Sequence, residues 1–197
     1  MPASASSLDR REVVARLLAG RDGLLVITGL GSPTYDVHAA GDHDGNYYLW
    51  GAMGSAALIG FGLAQAQPDR TVVVITGDGE QLMGLGGLAT IAVSNPNNLV
   101  VVVIDNNHFG ETGMQLSHTG HGLDLASVAQ SCGFKEARTV RDMNGVEEIA
   151  RALNAPASGS RFFAIKVKAE NPPRSLPPRD AVHVKNRFRA YLGLGTM

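Results

Sequence analysis

Cysteine is nearly absent from this 197-residue chain: Cys132 is the only one. A single thiol excludes an internal disulfide and speaks against a cysteine-bound iron–sulfur cluster. Charge is also nearly balanced. The formal net charge is −1 and the pI about 6.6, so neither nucleic acid nor an anionic membrane surface has an electrostatic claim on the chain. Apolar runs are broken by glycine or charge well short of the ~20 residues that a spanning helix requires. Met1 to Ser7 is small and polar, with no charged start leading into an apolar core, so it does not read as a secretory signal. These absences suggest a cytoplasmic protein with no membrane and no nucleic-acid partner.

Glycine, by contrast, is plentiful, at 24 residues, and much of it lies between Gly41 and Gly122. Such enrichment marks sharp turns and places where backbone approaches a ligand closely. Within this stretch are two continuous β-branched runs, Thr71-Val72-Val73-Val74-Ile75-Thr76 and Leu99 to Asp105. Unbroken rather than alternating runs suit parallel strands covered on both faces. Gly77-Asp78-Gly79 closes the first run and Asn106-Asn107 the second, with 26 residues between Gly79 and Asn106. That interval fits one crossover helix, which brings both carboxyl ends to the same sheet edge, where open α/β sheets bind ligands.

A carboxylate, amide oxygens and exposed loop backbone form an all-oxygen set for a hard divalent ion. Mg²⁺ takes about six oxygens, several of them from phosphate and water. A helix starting near Glu80 would aim its free N–H groups at the same point, and Gly79 would let the backbone come close. The residues thus describe a metal-bridged diphosphate site. An aspartate after a strand is also a common helix cap, and that reading stands beside the ligand one.

Gly77-Asp78-Gly79 with Asn106-Asn107 at this spacing resembles the cofactor motif of the thiamine diphosphate-dependent 2-oxoacid decarboxylases. Upstream, Trp50-Gly51-Ala52-Met53-Gly54 resembles the segment preceding that motif. The stretch from Leu82 to Ile91 and Asn106 to Gly113 resembles the sulfopyruvate and phosphonopyruvate decarboxylase branch. The resemblance covers roughly residues 46–133. It implies Mg²⁺ and thiamine diphosphate as cofactors, with Asp78, Asn107 and the Phe109 carbonyl as metal ligands. Gly51, Ala52, Met53, Gly77, Gly79, Glu80, Gly110 and Glu111 would line the cofactor site. Gly51 would accept from the aminopyrimidine and Met53 would wedge the cofactor into its bent form; Met53 could equally be core filler. His43, His108 and His118 are candidates for proton transfer or anion binding, although exposed loop histidines need no function.

Enzymes of this kind use two related α/β domains, one for the diphosphate and one for the pyrimidine, the latter supplying an activating glutamate. Only one α/β unit is visible here. The resemblance therefore implies the diphosphate-binding subunit of a split 2-oxoacid decarboxylase, a carboxy-lyase that releases an aldehyde. A separate pyrimidine-binding alpha-type subunit would complete a hetero-oligomer. The alternative is a catalytically inactive regulatory or interaction protein that keeps the diphosphate site.

The expected fold is a single doubly wound α/β domain with a mostly parallel sheet over residues 8–170. A disordered leader (1–7) precedes it, and a Pro/Arg-rich tail (171–197) belongs to the same domain. Patterning predicts helices at 8–19, 55–66, 123–132, 145–153 and 184–192. Strands are expected at 24–28, 47–49, 71–76, 99–105 and, alternating, 161–168, with a loop at 29–33. Gly84-Leu85-Gly86-Gly87-Leu88-Ala89 imitates a dinucleotide fingerprint, but its place inside the crossover rather than at a strand-to-helix turn argues against that function.

Overall fold

The computed structural model describes residues 8–21 and 23–195; the expected leader lies outside them. A six-stranded sheet in the order β2-β1-β3-β4-β8-β7 forms the centre, every neighbouring pair parallel. Its strands are β1 (Leu25–Thr28), β2 (Asn46–Tyr48), β3 (Val72–Gly77), β4 (Leu99–Asp105), β7 (Glu136–Val140) and β8 (Arg161–Lys166). The two valine-rich runs, β3 and β4, lie side by side and are buried on both faces, as continuous apolar patterning requires.

Period-two geometry sends alternate strand residues to opposite faces. Val73, Ile75, Val100 and Val102 pack under α1 (Arg10–Leu18), α2 (Ser32–Ala39) and α7 (Met143–Leu153). Val72, Val74, Val101 and Val103 pack under α3 (Ala56–Ala66), α5 (Gly87–Ser94) and α6 (Leu125–Cys132), with Phe188 of α8 (Ala181–Tyr191) on the same face. The result is the expected doubly wound arrangement, a sheet between two helical layers.

Several local expectations change. The loop expected at 29–33 ends at Gly31, and Ser32 and Pro33 open α2, because proline is tolerated in the first turn of a helix. The crossover holds two short helices, α4 (Asp78–Met83) and α5, not one. A Cβ on Gly84 would lie 1.9 Å from the Gly54 carbonyl, so glycine at the break admits the preceding loop. β7 has no counterpart in the apolar patterning. Its sequence, Glu-Ala-Arg-Thr-Val, is partly exposed at the sheet edge. β8 does not alternate; it is buried throughout between β4 and β7. Residues 171–180 carry no regular structure, yet they are anchored: Trp50 Nε1 donates to Pro178 O, and His38 Nδ1 meets Ser175 Oγ.

The winding reverses at β1, which leads to β2 on one side and pairs with β3 on the other. At such a switch point the loops leaving neighbouring strands diverge and open a crevice at the carboxyl edge.

Candidate active site

That crevice contains an open cleft, about 510 Å³ when the space open to solvent is included. Leu30, Ser32 and Pro33 reach it from the β1–α2 connection, Gly77 to Glu80 from the β3–α4 junction, and Ile104, Asn106 and His108 to Thr112 from β4 and the loop beyond. Arg10 and Met53 complete the wall.

Asp78 is the first residue of α4 and is 2% exposed. Its Oδ2 accepts from Ser117 Oγ (2.5 Å) and Thr119 Oγ1 (3.1 Å). Thr119 Oγ1 also lies 2.8 Å from Asp105 Oδ1, so two buried carboxylates share a hydroxyl. Burial and the nearby Asp105 charge push the Asp78 carboxyl up to about 6. Lys166 balances Asp105 at 2.5 Å. Asp78 itself has no cation within ion-pair distance among the described residues.

The two asparagines point in different directions. Asn107 has φ +63°, in the left-handed region that asparagine tolerates, and this turns the chain between them. Asn106 is buried and lines the cleft, its Oδ1 accepting from His108 N (3.0 Å). Asn107 Oδ1 instead lies against Lys166 Nζ (2.7 Å) and Thr119 Oγ1 (3.3 Å) and does not line the cleft. The Phe109 carbonyl is also engaged. It accepts from Met114 N (3.0 Å) in the small hairpin of β5 (His108–Phe109) and β6 (Gln115–Leu116). Phe109 gives the cleft its ring, seated on Gly79, where any Cβ would fall 2.6 Å from that ring. Thr119 Oγ1 thus brings Asp78 Oδ2 (3.1 Å) and Asn107 Oδ1 (3.3 Å) to one hydroxyl, while Asn106 lines the cleft with its Oδ1 committed to the His108 turn.

Glu80 lies at the cleft but serves the scaffold. It is 3% exposed; Oε2 accepts from Leu30 N (2.8 Å) and Thr76 Oγ1 (2.9 Å), and Oε1 from Gly54 N (3.3 Å). One carboxylate therefore joins the β1–α2 loop, β3 and the Met53 loop. Burial raises its pKa against the pull of these donors. Met53 is 42% exposed on the rim, which disfavours the core-filler reading. Its neighbour Ala52 has φ +55°, a strained conformation that a loop holds only when its surroundings impose it. Gly51 and Ala52 are exposed beside the rim, Gly110 lines the cleft, and Glu111 lines it while pairing with Arg174 (3.0 Å).

The histidines separate. His108 Nδ1 lies 2.8 Å from the Asn106 carbonyl, which can only accept, so Nδ1 carries the proton and Nε2 stays free to exchange one. His118 is exposed in a 3₁₀ turn (His118–His121), edge-on to Phe109 at 6.3 Å. His43 is a correction. It precedes β2 at the amino edge, its Nδ1 accepting from Gly45 N (2.9 Å) and its ring packed on Tyr191, away from the cleft. A residue ahead of the expected strand at 47–49 reaches only the amino end of β2, the edge opposite the cleft.

Sequence reasoning missed Ser117, Thr119 and Lys166, whose role appears only when the loop folds back on Asp78. It also missed Arg10, although a signal existed: Arg10 shares the stripe of Val13, Val14, Leu17 and Leu18, the buried face of α1.

No helix among the described residues is long and apolar enough to cross a membrane. Residues 33–167 match the model of the thiamine pyrophosphate enzyme, C-terminal TPP binding domain. The chain is 38% identical to sulfopyruvate decarboxylase subunit beta of Methanothermobacter thermautotrophicus, over 92% of this chain and 94% of that one. It is 36% identical to phosphonopyruvate decarboxylase of Streptomyces viridochromogenes over 96% of its own length, but spans only 47% of that protein. Among solved structures, benzoylformate decarboxylase from Polynucleobacter necessarius superposes with a TM-score of 0.73 at 19% identity, covering 86% of this chain and 35% of that one; it shares the fold. The chain belongs to the thiamine diphosphate-binding, C-terminal domain family of thiamine diphosphate enzymes.

Proposed function

We propose that this chain is the diphosphate-binding subunit of a split 2-oxoacid decarboxylase of the sulfopyruvate or phosphonopyruvate type. It would work with thiamine diphosphate, Mg²⁺ and a separate pyrimidine-binding alpha-type subunit, releasing an aldehyde. The observation that carries this reading is the meeting of the β3 and β4 carboxyl ends at the switch-point cleft, where Asp78 and Asn107 share the Thr119 hydroxyl. Its similarity to a beta subunit over nearly its whole length supports the split arrangement.

The residues present fit the cofactor and metal. A buried carboxylate with a raised pKa, lacking a cation of its own, is a site that a divalent ion would neutralise. Asp78, the Asn107 amide oxygen and the Phe109 carbonyl would hold the ion, the remaining positions falling to phosphate and water. When bound, thiamine diphosphate supplies the electron sink for loss of CO₂ from the 2-oxoacid. Gly77 and Gly79 let backbone approach the diphosphate. Met53 on the rim would set the bend of the cofactor, and Glu80 fixes the three segments that carry these groups. His108, with Nδ1 committed to Asn106 O, would exchange a proton through Nε2.

The test is reconstitution: the chain with the purified alpha-type subunit, thiamine diphosphate and Mg²⁺, assayed for CO₂ from sulfopyruvate and phosphonopyruvate. Release that requires both subunits is expected. No release from either acid by the assembled pair overturns the reading.

A further inference from the structure

Arg10 is a cation inside the fold, and most of its hydrogen-bonding capacity is unused. Its side chain is 4% exposed, at the start of α1 on the face that packs against the sheet. Nε donates to Asp36 Oδ2 at 2.6 Å, tying α1 to α2. A guanidinium carries five N–H donors, each able to take an acceptor oxygen. Yet the two terminal nitrogens, with four of the five, make no hydrogen bond among the described residues. The same side chain lines the cleft beside Ser32, Pro33, Gly77 and Asp78.

The charge around Arg10 is not cancelled. Asp36 is shared with Arg11, whose Nε lies 3.5 Å from Oδ1, so one carboxylate faces two guanidiniums. The cluster keeps a net positive charge against the cleft. It is also held in place: Asp36 is 2% exposed and fixes the plane of the Arg10 fork. A fixed planar fork with two outward nitrogens matches two oxygens of a tetrahedral oxyanion. A structural role in joining α1 to α2 accounts for Nε alone.

We propose that Arg10 is an anion-binding residue of the cleft, taking phosphate, phosphonate or sulfonate oxygens on its terminal nitrogens while Asp36 orients it. Two groups carry that chemistry under the function proposed above, on which this inference rests: the cofactor diphosphate and the acidic head of the substrate.

The experiment is calorimetric titration of the full chain with inorganic diphosphate plus Mg²⁺, and, in the presence of thiamine diphosphate, with 3-phosphonopropionate as an unreactive acid. Wild type is compared with Arg10→Gln. Because Arg10→Gln alone strands a buried Asp36, the double variant Arg10→Gln/Asp36→Asn is measured in parallel, with circular dichroism confirming the fold. Loss of about tenfold to a hundredfold in diphosphate affinity, the worth of one or two charge-assisted hydrogen bonds, assigns Arg10 to the cofactor. A similar loss confined to 3-phosphonopropionate assigns it to the substrate. Both affinities staying within about twofold of wild type in the folded double variant overturns the proposal. Binding of neither ligand by wild type, alone or assembled with the alpha-type subunit, overturns the functional reading itself, a result separate from any change caused by the Arg10 variants.

Discussion

Asp78→Asn should make the cofactor-free protein more stable while removing its metal-dependent binding. The Asp78 carboxyl is pushed from 3.8 up to about 6 by burial and by Asp105, so the folded protein holds that proton longer than the unfolded chain does. The stability linked to the protonated form is fully present below about pH 4 and is lost as pH rises through about 6. Above that range the ionised, buried carboxylate costs the fold about 3 kcal/mol, at 1.36 kcal/mol per pH unit. Asparagine keeps an oxygen for Ser117 and Thr119 and removes the charge. In chelator at pH 8 the variant should gain about 1–3 kcal/mol. At ~2–4 °C per kcal/mol for a chain of this size, its Tm should rise by a few degrees up to about 12 °C. Near pH 4 the advantage should vanish. Adding Mg²⁺ and thiamine diphosphate should raise the Tm of wild type and leave the variant unmoved, because a ligand stabilises only the state it binds. Thermal melts across pH 4–8 measure all of this. A variant no more stable than wild type at pH 8, or one equally favoured at pH 4, refutes the reasoning.

Glu80→Ala strands Leu30 N, Thr76 Oγ1 and Gly54 N, and should cost about 3 kcal/mol in urea denaturation at roughly 1 kcal/mol per lost hydrogen bond; a neutral result would deny Glu80 its joining role. Met53→Ala should leave cofactor-free stability within about 0.5 kcal/mol, since the side chain lies exposed on the rim outside the core, yet weaken thiamine diphosphate binding in calorimetry. A loss above ~2 kcal/mol would restore the core-filler reading. Gly60→Ala places a Cβ 2.2 Å from Val74 Cγ2 and should push α3 off β3, lowering stability by about 1–3 kcal/mol despite the better helix propensity of alanine. A stabilised variant would show that the helix moves without cost.

The sequence revealed most clearly what burial on two faces imposes. β3 and β4 were legible because strands covered on both sides must be apolar without interruption, and the glycines and polar residues that end them mark the ligand edge. β7 was not legible, because an edge strand meets solvent and need not carry an apolar pattern. α2 was hidden by Pro33, a residue that signals both a turn and a helix start. At the site, the residue types were legible and the directions were not. Asn106 and Asn107 are adjacent and identical, and only the left-handed backbone of Asn107 decides which side chain faces the cleft. Ser117 and Thr119 reach Asp78 across 39 and 41 residues, a contact that no local pattern encodes.

The central claim is a metal-bridged diphosphate site formed by Asp78 and Asn107, and calorimetric titration of the full chain with thiamine diphosphate tests it directly. With Mg²⁺ present, binding should saturate at one cofactor per chain, and it should be lost in chelator and in both Asp78→Ala and Asn107→Ala. Binding that persists without the metal, or that survives loss of the Asn107 amide, would contradict the account.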